Sequence, residues 1–108
     1  MGYVYLLEEI NNIGKNRYKI GITKSDVQKR VKQLSTGNSK KIQLLNSYET
    51  KNYHKVEQWL HKRFDSKQTE SENEWFFLEK EDIENFIDTC KKIDETVNLL
   101  LKENYFFK

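Results

Sequence analysis

The chain has no proline and no alanine, only four glycines and a single cysteine among its 108 residues. Without proline, and with so few glycines, it holds no flexible or polyproline linker, so one domain spanning residues 1–108 is expected. The lone cysteine, Cys90, excludes an intrachain disulfide framework and a thiolate zinc cluster. Its apolar helical neighbours predict a buried structural thiol. No stretch approaches the roughly 18 consecutive apolar residues of a membrane span, and the N-terminus lacks a signal-peptide core. A soluble intracellular protein without a membrane partner is expected. No serine sits in a nucleophile elbow, and Gly21 after Ile20 belongs to no phosphate-cradling glycine loop. Serine hydrolase chemistry and nucleotide binding therefore have no footing.

What is present is ring-rich. Hydrophobic residues make up 36% of the chain and aromatics 13%, which predicts a small core built on Tyr, Phe, Trp, Leu and Ile. Tyr3 to Leu7 and Tyr18 to Thr23 read as strands, joined by a polar loop containing Asn11, Asn12, Gly14 and Asn16. Ser25, three before Gln28, has capping-box spacing and opens a short helix through Val27, Val31 and Leu34, ended by Ser35 to Asn38. Ile42 to Tyr48 reads as a third strand. Asn52 can cap a second helix with the stripe Tyr53, Val56, Leu60 and Phe64. Trp75 to Leu78 is a short strand candidate. A long helix over 80–103 follows, with Ile83, Phe86, Ile87, Cys90, Ile93, Val97, Leu100 and Leu101 at the helical period. Tyr105, Phe106 and Phe107 then form either a docked tail or a self-association surface, the second of which would give a homodimer. The order predicts an α+β fold with a small, largely antiparallel sheet flanked by helices.

The near-neutral net charge of +2 hides a dipole. Residues 1–63 hold 13 basic against 5 acidic side chains, a net of +8, and residues 64–108 hold 6 against 12, a net of −6. Lys15, Arg17, Lys19, Lys24, Lys29, Arg30, Lys32, Lys40 and Lys41 cluster around the second strand, the first helix and its following loop. That density suits a phosphate-backbone footprint; solvated helix faces in a lysine-rich chain produce the same count.

Three constellations could carry chemistry. Tyr3 and Tyr5 share a strand face and Tyr18 opens the next strand, although strand tyrosines also serve as core. Arg30 is one of three arginines among 19 basic residues, which favours a planar bidentate donor to phosphate or carboxylate. His54, Glu57 and His61 project from one helix face, where a carboxylate can hold a divalent cation and imidazoles can orient water. For Glu57 the plainer alternative is a surface pair with Arg63 or a nearby lysine.

The runs Gly2 to Leu7, Tyr18 to Thr23, Val27 to Val31, Val56 to Phe64 and Glu74 to Phe76 occur in an order that resembles the GIY-YIG nuclease superfamily. The nearest branch is that of phage and large DNA viruses, in which KIG replaces YIG and an E-x-x-x-H-x-x-F helix precedes EWF. The resemblance covers roughly residues 2–78. It implies a divalent-metal-dependent DNA endonuclease, with RNA left open as the alternative polymer, in the cytoplasm of a bacterial or infected host cell. Carried over by residue, Tyr5 matches the first-triplet tyrosine, Arg30 the helix arginine, and Glu57 the ligand of Mg²⁺ or Mn²⁺. His61 is typical of the branch, and Asn73 is the nearest candidate for a later asparagine. Free tyrosine titrates at about 10, so a tyrosine base needs activation by its surroundings. Lys19 stands where the second tyrosine belongs. Either Lys19 donates to phosphate, or a bulge turns Tyr18 inward, or catalysis is lost and a non-catalytic nucleic-acid-binding module remains. An interaction protein using its aromatic tail and acidic helix is a third reading.

Overall fold

The computed structural model describes residues 1–36, 40–69 and 74–106, the last four through their backbone alone. The elements are β1 (Gly2–Glu9), β2 (Arg17–Thr23), α1 (Val27–Ser35), β3 (Ile42–Thr50), α2 (Tyr53–Arg63), a 3₁₀ turn (Asp65–Lys67), β4 (Trp75–Phe76), α3 (Lys80–Glu84) and α4 (Phe86–Phe106). The strands form one antiparallel sheet in the order β3-β1-β2-β4, and the α+β class is as expected. No helix among the described residues is long and apolar enough to cross a membrane.

The two-residue period of the strands divides the core. Val4, Leu6, Tyr18 and Ile20 face one side, where they meet Val56 and Leu60 of α2, Phe64 just after it, and Phe86, Cys90, Ile93 and Val97 of α4. Tyr5 and Leu7 face the other side, covered by Val27 of α1 with Val31 and Leu34 beside it. Fully burying a side chain such as Phe86 or Leu60 contributes about 1.5–3 kcal/mol, so the α2–α4 layer is the main source of stability. Cys90 is buried there as expected, and burial pushes its thiol up to about 12.

Several local expectations need correction. Asp26, not Ser25, caps α1, because its Oδ1 accepts from Gln28 N at 2.9 Å. Asn52 holds the cap position of α2 but makes no side-chain cap bond. Its Nδ2 instead donates to Asp94 Oδ1 and Asn98 Oδ1, both at 2.7 Å. The strand at 75–78 shrinks to Trp75–Phe76. The helix over 80–103 is broken at Asn85 into α3 and α4, and a reciprocal Glu79–Asp82 capping box starts α3. Leu100 and Leu101, placed in the buried stripe by their period, are exposed alongside Leu99. The side chains of Tyr105, Phe106 and Phe107, and the proposed stop at Gly37 and Asn38, lie outside the described residues.

Two polar nodes lock the layers. Glu9 is buried and accepts two bonds from Arg17, at 2.9 and 3.0 Å, with Lys40 Nζ at 3.7 Å. Asp94 of α4 accepts from Tyr48 Oη of β3 at 2.8 Å as well as from Asn52. Burial pushes the Asp94 carboxyl up, but the bonds from Asn52, Tyr48 and Thr50 outweigh it and hold the group below its ordinary value.

Two outcomes follow from these nodes. Glu9→Ala removes the buried acceptor of both Arg17 bonds, so urea denaturation should show a loss of about 1.5–3 kcal/mol. A depressed carboxyl contributes stability above its unfolded-state value, which is lost as pH falls through the folded value. Asp94→Asn should therefore cost about 1.5 kcal/mol at neutral pH and flatten the acid limb of the stability curve; an unchanged limb would assign the acid sensitivity elsewhere.

Candidate functional site

Three consecutive residues of β2, Lys19, Ile20 and Gly21, organise the surroundings of the sequence candidates. In the β1–β2 register Gly21 lies opposite Tyr5. The Tyr5 ring lies so close across it that a Cβ at position 21 would sit 2.5 Å from Tyr5 Cζ and nearer still to the hydroxyl oxygen. Only glycine leaves room for the phenol in this pose. Tyr5 is itself buried, so its ring position is set by packing between β2 and α1.

Lys19 pairs with Leu7 and shares the Tyr5 face, while Tyr18 and Ile20 share the opposite one. The β1–β2 register runs without a shift from Arg17 to Thr23, so no bulge turns Tyr18 inward. Tyr18 is separated from Tyr5 by the sheet and belongs to the α2–α4 core. Its hydroxyl donates to Glu8 Oε2 at 3.0 Å. Burial, then that bond and the Glu8 charge, push the Tyr18 phenol from 10 up to about 12. Two units correspond to roughly a hundredfold less phenolate, so Tyr18 is unsuited to accept a proton.

The ammonium of Lys19 is buried and donates to Glu74 Oε2 in a short ion pair. It also lies 5.6 Å from the Trp75 ring centre, and the Arg17 guanidinium covers that ring at 4.7 Å. Arg17 is thus committed to Glu9 and Trp75, and Lys40 to Glu9. Of the remaining basic candidates, Lys15, Lys24, Lys29, Lys32 and Lys41 are exposed.

On α1, Arg30 falls three and four residues from Val27 and Asp26 and next to Val31, so it shares the stripe that packs over Tyr5. Its Nε is buried and has no hydrogen-bond partner, while Nη1 makes only a 3.5 Å contact to Gln33. A buried donor without an acceptor costs about 1–3 kcal/mol, which an anion at that position would recover.

The second helix brings Glu57 and His61 to the same strand. His61 Nε2 lies 2.8 Å from the Ile20 carbonyl, just where β4 has stopped pairing, and its ring meets Phe76 edge-on. His54 is exposed and tilts against Tyr53. Glu57 is half-buried and makes neither an ion pair nor a hydrogen bond among the described residues, Arg63 included. Burial raises its carboxyl above the ordinary value; Glu74 adds to the rise, and His61, His54 and Lys19 oppose it. A desolvated carboxylate without donors fits a hard divalent cation, whose other ligands would be water and phosphate oxygens. Among the described residues no cluster of three or more His, Cys, Asp or Glu could hold a metal. Asn73 lies outside the described residues.

Three contributors escaped the sequence reading. Glu74 was visible only as part of a motif, and nothing local links it to Lys19, 55 positions away. Glu9 could have been paired with Arg17 from the hairpin register. The need for glycine at 21 follows from the same register once Tyr5 is placed opposite.

The sequence model of the T5orf172 domain, a phage-associated domain related to nuclease folds, matches residues 2–91. No curated protein and no solved structure matches the chain.

Gly21→Ala tests the close approach. The added methyl must displace the Tyr5 ring, and a loss of about 1–3 kcal/mol in thermal or urea denaturation is expected. Pairing it with Tyr5→Phe should recover part of that loss, because the hydroxyl is the nearest clashing group.

Proposed function

The chain belongs to the T5orf172 domain family, and on that premise we propose that it is a GIY-YIG-type endonuclease that hydrolyses DNA phosphodiester bonds with a divalent metal. One observation carries this reading: Tyr5, the Lys19 ammonium and the partnerless Arg30 donor share the α1 side of the sheet, while the donor-free Glu57 carboxylate of α2 stands one turn before the His61 that meets the Ile20 carbonyl and feels the Lys19 charge.

In this reading Tyr5 orients or deprotonates the attacking water, held in a fixed pose by Gly21 and α1. Arg30 donates through Nε to a phosphate oxygen, and the charge that develops there meets a donor already desolvated. Lys19 supplies a second fixed positive charge on the same side of the sheet. His61 anchors α2 to the Ile20 carbonyl and so fixes where Glu57 stands along β2. Mg²⁺ or Mn²⁺ on Glu57 would polarise the phosphate and stabilise the leaving oxygen. Lys15, Lys24, Lys29, Lys32 and Lys41 neutralise backbone phosphates outside the site.

The Lys19–Glu74 pair favours one other reading, a nucleic-acid-binding module without turnover, since it occupies a charge that the reaction would use. Supercoiled plasmid with Mg²⁺ or Mn²⁺ separates the two. Nicking should be lost in Glu57→Ala, fall roughly 10²–10⁴-fold in Tyr5→Phe and roughly 10²–10³-fold in Arg30→Ala. Nicking that survives Glu57→Ala unchanged rejects the assignment. Binding without nicking under either metal selects the module. In both cases five phosphate contacts on duplex DNA should give a salt slope of roughly −4.5 in log K against log salt.

A further inference from the structure

Glu74 is the residue left unexplained by the reading above. Its main-chain carbonyl accepts from Ile20 N at 3.3 Å, and its carboxylate takes the Lys19 ammonium. Ile20 is thus held from two directions, by Glu74 through its N–H and by His61 through its carbonyl. His61 stands one helical turn after Glu57, so its contact brings the Glu57 carboxylate toward the same stretch of β2, where it feels the charges of both Glu74 and Lys19. Lys19 is within electrostatic range of both carboxylates and forms its ion pair with only one.

We propose that Glu74 is a positioning residue whose ion pair holds Lys19 away from Glu57, so that the Glu57 carboxylate stays free for a divalent cation. The inference rests on the reading of Glu57 as the cation ligand and assigns a role to a residue outside that set. A lysine ammonium has three donors on a flexible four-carbon stem, and a buried one seeks a carboxylate. With Glu74 neutralised, Glu57 is the remaining acidic group beside it; His61 and His54 offer no compensating charge of that sign. Lys19 would then swing to Glu57 and compete directly with the metal. Glu74 is exposed, so removing its charge leaves the packed core untouched.

The test uses Mn²⁺ alone as the probe, without DNA, and reads paramagnetic broadening of backbone amide signals in the whole chain. In the parent, signals of α2 around Glu57 should broaden, and in Glu57→Gln they should not. Glu74→Gln should need at least tenfold more Mn²⁺ for the same broadening, and the double variant Lys19→Met with Glu74→Gln should return to the parent response. Broadening in Glu74→Gln at parent concentrations overturns the inference while leaving Glu57 as the ligand. A double variant that stays weak also overturns it, because Glu74 would then act on the metal directly. Absence of local broadening in the parent removes the Glu57 assignment, and the inference falls with it.

Discussion

The Tyr5 ring lying across Gly21 is the constraint on which the α1 side of the sheet depends. Because the two residues face each other in the β1–β2 register, the phenol can lie flat only if position 21 has no side chain. That contact sets how closely α1 can approach, since Val27 packs on Tyr5 and Arg30 follows one turn later. It also fixes the phase of β2, and with it which of Tyr18 and Lys19 shares the Tyr5 face. A slip of one residue would exchange a buried ammonium for a buried phenol.

The two faces of the sheet divide the work. Most of the aliphatic and aromatic burial lies on the α2–α4 side. The α1 side has a thinner apolar layer and carries the Glu9–Arg17 and Lys19–Glu74 ion pairs, the cations over Trp75 and the orphan arginine donor. Stability supplied from one side lets the other keep desolvated polar groups that cost free energy. The elements join at β2, whose alternate side chains enter both layers and whose backbone is read by His61 and Glu74.

Much of this was legible in the sequence because it depends on short-range periodicity. The strands and the two longer helices followed from alternation and the 3.6-residue period, and the three-plus-four spacing of His54, Glu57 and His61 did share a helix face. The misplacements came from competition that the period does not record. Asp26 displaced Ser25 as a cap because its carboxylate reaches Gln28 N. Asn52 was drawn from its cap to α4 by Asp94 and Asn98. Leu100 and Leu101 kept the right phase but lost burial, because the period reports orientation and not where the body of the protein ends. The Tyr18 and Lys19 alternatives turned on whether β2 was regular, a property of its pairing with β1 rather than of its own residues. The Lys19–Glu74 pair is non-local and left no local trace.

The brevity of β4 has a consequence for how the protein behaves beside its own copies. A strand of two residues covers only Tyr18 and Lys19, and the outer rim of β2 beyond them would offer unpaired amides and carbonyls to any extended chain nearby. The imidazole of His61 occupies the first of those carbonyls, and Glu74 the amide of the same residue. Capping by single groups, in place of a longer fourth strand, denies a foreign strand its first rung while keeping the flank of β2 within reach of a bulky polymer.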